Sequence, residues 1–171
     1  MSTSLIERQS TTIYGRPPDR LRPIERINDV GVRWLSRYSV VLLRVSLGIV
    51  FLGFGVLKFF PGASPAEALV ERTIDTLTLG VIHGRTAVLV TAVMECFIGV
   101  TLVTGRFVRA GLVVLAGALV GIMSPLVLFF SDMFPGGTPT LEAQYVFKDI
   151  VLGAAGLVVA AVSMGARLTH R

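Results

Sequence analysis

Cysteine is almost absent from this sequence: Cys96 is the only one. An internal disulfide and a Cys-x-x-Cys redox pair are therefore excluded. On an apolar helix a lone thiol reads as inert packing. Histidine is nearly as scarce, with His83 and His170 alone, both outside the long apolar runs. That excludes a bis-histidine haem among the membrane segments. No Cys, His and acid cluster has metal-ligand spacing, so no metal site is assigned. Charge is thin as well. Charged residues make up 16% of the chain, against the ~25% usual in soluble domains. No basic-aromatic face or nucleic-acid motif appears, so nucleic acid is not expected as a partner. There is no nucleophile-base constellation and no phosphate loop, and no catalytic residue is assigned.

What is present is apolar. Hydrophobic residues are 53% of the 171, and the mean hydropathy is +0.74. Four apolar segments stand out, at about 40–60, 86–104, 108–130 and 147–164. Each reaches or approaches the ~20 residues a helix needs to cross the hydrocarbon core; the fourth is short and is expected to tilt little or thin the bilayer. Lipid offers backbone groups no partner, which requires helices, and the alternation of a membrane β-barrel is absent. The expected fold is all-α: a polytopic membrane four-helix bundle with an N-terminal juxtamembrane amphipathic helix and a short outer-surface helix. The lipid bilayer is its first partner.

The net charge of +5 comes almost wholly from arginines outside those segments. Residues 1–39 read as a cytoplasmic arginine-rich tail. It begins polar and turn-rich, with "GRPPDR" favouring an extended path, and no cleavable signal peptide is expected there. From Ile27, the apolar residues Ile27, Val30, Trp34 and Tyr38 recur at helical spacing with Arg26, Arg33 and Arg37 between them. This predicts an interfacial helix leading into the bilayer. The domain of four spans covers residues 40–164, and residues 165–171 form a short C-terminus. Arg106 and Arg109 in the second-to-third connection and Arg167 and Arg171 at the C-terminus fall on the same side as the tail. The positive-inside rule then places both termini in the cytoplasm.

The two outer loops carry their own signals. In "SPAEALVERTIDTLTLG", Ser64, Pro65 and Glu67 read as N-cap, first-turn proline and capping-box acid. Leu69, Val70, Ile74 and Leu77 then form one apolar stripe, as on a helix lying on the outer surface. "SDMFPGGTPTLEAQY" is rich in proline and glycine, and reads equally as an ordered lid or a mobile loop.

Ionisable residues inside spans are costly and usually face the bundle interior in pairs. Five fall in or at the edges of these spans: Arg44, Lys58, Glu95, Lys148 and Asp149. Glu95 lies near the midplane, roughly 14 Å from either end of its span. Two polar clusters are plausible. Glu95 could pair with Arg44 or with an outer lysine, and Lys58 could pair with Asp149. They read either as a lock on helix register or as a ligand-binding or proton-accepting site at the base of an outward-facing pocket. Pro125 in "GIMSPLVLFF" frees the Gly121 carbonyl and predicts a kink at the depth of Lys58 and Asp149. Gly117 with Gly121, and Gly153 with Gly156, read as small faces for helix packing within the bundle or in a dimer.

Three stretches carry a resemblance: "FLGFGVLKFFPG" at the end of span one, "AVMECFIGVTLVTGR" in span two and "YVFKDIVLGAAGL" at the start of span four. Over about residues 40–163 they resemble the DoxX-like superfamily of small four-helix bacterial membrane proteins, with the RclC/YkgB-type branch nearest. The resemblance rests on Gly55, Lys58 and Phe59, on Glu95, and on Lys148 with Asp149. It implies a bacterial plasma (inner) membrane location. It further implies an oxidative-stress component or a membrane subunit of a quinone-linked oxidoreductase, and four spans without cofactor ligands favour a non-catalytic accessory subunit, working with other membrane subunits or itself. Two alternatives stand beside it. One is a quinone-binding membrane subunit of an oxidoreductase, in which Glu95 exchanges a proton with the ring oxygen and quinone is the one cofactor in view. The other is a small-solute carrier.

Overall fold

The computed structural model describes residues 23–166. The expectations for the tail before Pro23, and for Arg167, His170 and Arg171, lie outside the described residues. The chain divides into two units, Met1–Arg37 and Tyr38–Arg171.

Helix α1 runs from Pro23 to Leu57 without interruption. Its first residue is a proline, which helices accept at N1 because that N–H has no intrahelical acceptor. The stretch expected as an interfacial helix is helical. In the first unit, Val30, Val32, Trp34 and Leu35 are exposed, and the Ser36 hydroxyl donates to the Arg33 carbonyl at 3.0 Å.

The second unit holds the bundle. After α1 come α2 (Glu67–Leu77), α3 (Gly84–Thr104), α4 (Val108–Met123), the short α5 (Pro125–Leu128) and α6 (Phe130–Met133), a 3₁₀ turn at Pro135–Gly137, and α7 (Leu141–Ser163). No strand occurs among the described residues. Among the described residues, four stretches are long and apolar enough to cross a membrane: Val30–Leu57, Gly84–Thr104, Val108–Leu128 and Leu141–Ser163. The protein is an all-α polytopic membrane bundle.

The fourth span is longer than its hydropathy suggested. Thr140 caps α7, its hydroxyl accepting from the Ala143 N–H at 3.2 Å. A hydroxyl at this position satisfies an orphan donor of the first turn. The helix thus begins at Leu141, ahead of the apolar run, and needs no thinned bilayer.

Leu47, Phe51, Ile98, Leu102, Leu115, Ala118 and Val159 form the main buried cluster. Lipid is as apolar as these side chains, so close packing rather than water exclusion holds such helices together. Glycines set the closeness between α1 and α3. A β-carbon on Gly99 would lie 2.6 Å from the Leu52 backbone N, one on Gly48 2.9 Å from the Val103 N, and one on Gly55 2.9 Å from the Cys96 N. The two backbones touch along this seam. Because Gly55 sits against Cys96, α1 ends opposite the middle of α3. The turn after Leu57 and helix α2 complete that half of the wall.

Helix α2 forms where the sequence placed it, but its start differs. The N-cap position is Ala66 with no side-chain cap, and the Ser64 hydroxyl is buried without a partner. The Glu67 carboxylate takes the Gly62 N–H at 2.8 Å and the Arg85 guanidinium at 3.0 Å instead. Two donors on one carboxylate outcompete a capping box. The second expected loop contains α6 and the 3₁₀ turn, and buries Met133 against Phe129 and Ala143. Arg72 of α2 clasps it, its guanidinium 3.9 Å over the Phe129 ring and 2.7 Å from Asp132 Oδ2.

Candidate functional site

Lys58 lies one residue past the end of α1. The last turn tightens there, with the N–H groups of Lys58, Phe59 and Phe60 donating to Gly55, Val56 and Leu57 at 3.1–3.2 Å. The glycine seam has already brought this turn level with mid-α3. The Lys58 ammonium therefore meets Glu95, donating to Oε2 at 2.7 Å. Lys58 is 3% exposed and Glu95 6%. A buried charge is tolerable only when paired and hydrogen-bonded. Of the partners considered for Glu95, the lysine is the one the fold delivers.

Arg44 goes elsewhere. Its guanidinium donates to the Leu102 carbonyl at 2.6 Å and lies against Gly105, which ends α3 in the left-handed conformation at φ 73°. A cation there satisfies a terminal carbonyl and faces the negative end of the helix dipole. Arg44 is a cap on α3, not a member of the Glu95 cluster. Lys148 is also outside it, with its ammonium 4.8 Å over the Tyr145 ring.

A cavity of about 460 Å³ opens beside the ion pair. Its walls come from α1 (Phe51, Phe54), the apolar stripe of α2 (Leu69, Thr73, Ile74), α3 (Thr91, Met94, Glu95), α4 and α5 (Gly117, Gly121, Pro125) and α7 (Tyr145, Val146, Asp149). Its size falls within the range of small-molecule sites, and so does its character, mostly apolar with a few convergent polar groups. Lys58, Glu95 and Asp149 all line it, but Asp149 makes no ion pair with Lys58. The expected Lys58–Asp149 pair is replaced by Lys58–Glu95, with Asp149 beside it.

Pro125 acts through the backbone. With no proline N–H to accept from, the Gly121 carbonyl takes the Ser124 hydroxyl at 2.7 Å. Ser124 keeps helical angles (φ −58°, ψ −34°), and the chain leaves the helical path only at Phe129 (φ −122°, ψ 37°). Among the described residues, a β-carbon on Gly117 or Gly121 would meet no atom of another helix within 4 Å. They line the cavity rather than a helix contact inside the bundle. The packing glycines are Gly48, Gly55 and Gly99, together with Gly111 against the Thr101 hydroxyl and Gly156 against Leu115. Gly48 and Gly55, two turns apart on one face of α1, were the signal available for the seam.

The DoxX family model matches residues 39–131, over half of the chain. This chain belongs to the DoxX family. No curated protein and no solved structure gives a significant match. The DoxX match takes in Lys58 and Glu95 and stops before α7, which carries Asp149. Membership makes the chain a DoxX-family membrane protein of several spans, without choosing a branch within the family.

Proposed function

We propose that this DoxX-family protein is a non-catalytic membrane subunit that holds a lipophilic molecule with a polar head. The observation that carries the reading is the cavity lying against the buried Lys58–Glu95 pair. The pair borders open space within the bundle. The lining suits an acyl chain or ring along Phe54, Leu69 and Met94, with its head toward Asp149. A quinone is one such ligand, and the acid-base pair at the wall favours it as the second reading. We place the protein in a bacterial plasma membrane with both termini cytoplasmic, from the arginines of the tail and of the α3–α4 connection.

The test is native mass spectrometry of the full-length protein released from lipid nanodiscs. The expected result is a retained lipophilic molecule or a co-purifying membrane subunit, with the small molecule lost in Gly121→Phe, which fills the cavity. A wild-type protein that runs alone as a bare monomer overturns the proposal.

A further inference from the structure

The polar groups of the cavity can be counted for what they have left to give. The Thr73 hydroxyl is spent on the Leu69 carbonyl at 2.6 Å, that of Thr78 on Ile74 at 2.7 Å, and that of Thr91 on Ala87 at 3.0 Å. The Lys58 ammonium is paired with Glu95, donating to Oε2 at 2.7 Å. Asp149 is the lining carboxylate without an ion pair. It lines the cavity, yet among the described residues it has no hydrogen bond, and no cation lies within 4.0 Å of it. Lys58 lines the same cavity, but its ammonium is paired with Glu95 at 2.7 Å. One ammonium and two carboxylates leave the site with a formal surplus of one negative charge. A carboxylate at membrane depth is compensated either by a proton or by a cation, and the open space beside Asp149 has room for a cation-bearing head.

We propose that the cavity takes an amphiphile whose head is a cationic hydrogen-bond donor of the alkylammonium class, recognised by the Asp149 carboxylate. The proposal rests on the reading of the cavity as a ligand site and adds the sign of the ligand. Lys58 and Glu95 neutralise each other, so the head is not drawn to either. The apolar stripe of α2 and the wall of Phe51 and Met94 hold the chain. Gly117 and Gly121 leave the room it occupies.

The experiment competes dodecylammonium, dodecanol and dodecanoate at equal concentration against the full-length chain in phosphatidylcholine nanodiscs, read by native mass spectrometry. Phosphatidylcholine carries no N–H donor. Wild type should retain the ammonium at least tenfold over the alcohol, and the carboxylate least. Asp149→Asn should bring ammonium retention down to that of the alcohol, leaving the alcohol unchanged, while Lys148→Gln should keep the full preference. Equal retention of ammonium and alcohol by wild type overturns the charge inference even if Asp149→Asn fails to fold, and leaves the cavity reading standing. Failure to retain any probe, in a chain that Gly121→Phe does not alter, removes both. Adding phosphatidylethanolamine separates two sources of the same chemistry. Displacement of dodecylammonium assigns the site to a lipid headgroup; retention assigns it to a free amine.

Discussion

At Gly99 an added β-carbon would come to rest 2.6 Å from the backbone of Leu52; at Gly121 it would meet nothing within 4 Å. Both glycines sit within membrane helices with ordinary helical neighbours. On the α1–α3 seam the missing side chain lets two backbones touch, and that contact carries Lys58 to Glu95. On α4 the missing side chain leaves a hole. Glycine in a membrane helix thus has two opposite uses, and sequence spacing does not separate them. Gly117 and Gly121 have the small-xxx-small spacing of a packing face yet line the cavity. Gly48 and Gly55 lack that spacing yet make the contact.

The ion pair joins the two regions, and breaking it gives the largest expected effect. Lys58→Met leaves the Glu95 carboxylate buried without its cation, a loss of about 3–5 kcal/mol. The double variant Lys58→Met/Glu95→Leu should recover most of that, since a buried pair replaced by apolar groups is often close to neutral. Reversible unfolding in mild detergent measures both. If the single change costs no more than the double, Glu95 finds another partner in the cavity and the pair does not brace the bundle.

The seam is tested next. Gly99→Val drives a side chain into the backbone of α1, where no rotamer can yield. It should cost at least the ~1–3 kcal/mol of an overpacked core, and should also move Lys58 away from Glu95. An unchanged unfolding midpoint would mean that α1 and α3 are not in backbone contact.

Much of this architecture was legible before any coordinates. Four apolar runs, the arginines between them and the stripe on α2 follow from hydropathy and periodicity, because membrane helices must satisfy their own backbones. Glu95 announced itself as an acid in an apolar run, and an outer lysine was among its expected partners. The choice between Lys58 and Arg44 was not legible. It depends on where α1 ends relative to α3, and that offset is set by a three-dimensional glycine contact. The Arg44 cap on α3 was hidden for the same reason. The early start of α7 was readable in principle from Thr140, whose capping hydroxyl lies before the hydropathy signal begins. Asp149 was flagged with the wrong partner, because the offset between α1 and α3 gives Lys58 to Glu95.

The smallest expected effect gives the sharpest contrast, because it uses one substitution in two places. Alanine adds a single methyl group. At Gly121 that methyl enters open space on a backbone that is already helical. The change should stabilise the chain by a few tenths of a kcal/mol, since glycine in a helix costs roughly 0.5–1 kcal/mol relative to alanine. The Gly121 carbonyl keeps its bond to the Ser124 hydroxyl, so nothing else has to move. At Gly99 the same methyl meets the backbone of Leu52 and should destabilise instead. Opposite signs from the two alanines, measured side by side by unfolding in detergent, are the expected outcome. A destabilising Gly121→Ala would mean that another copy of the chain, or another subunit, packs against α4 and closes the cavity from outside.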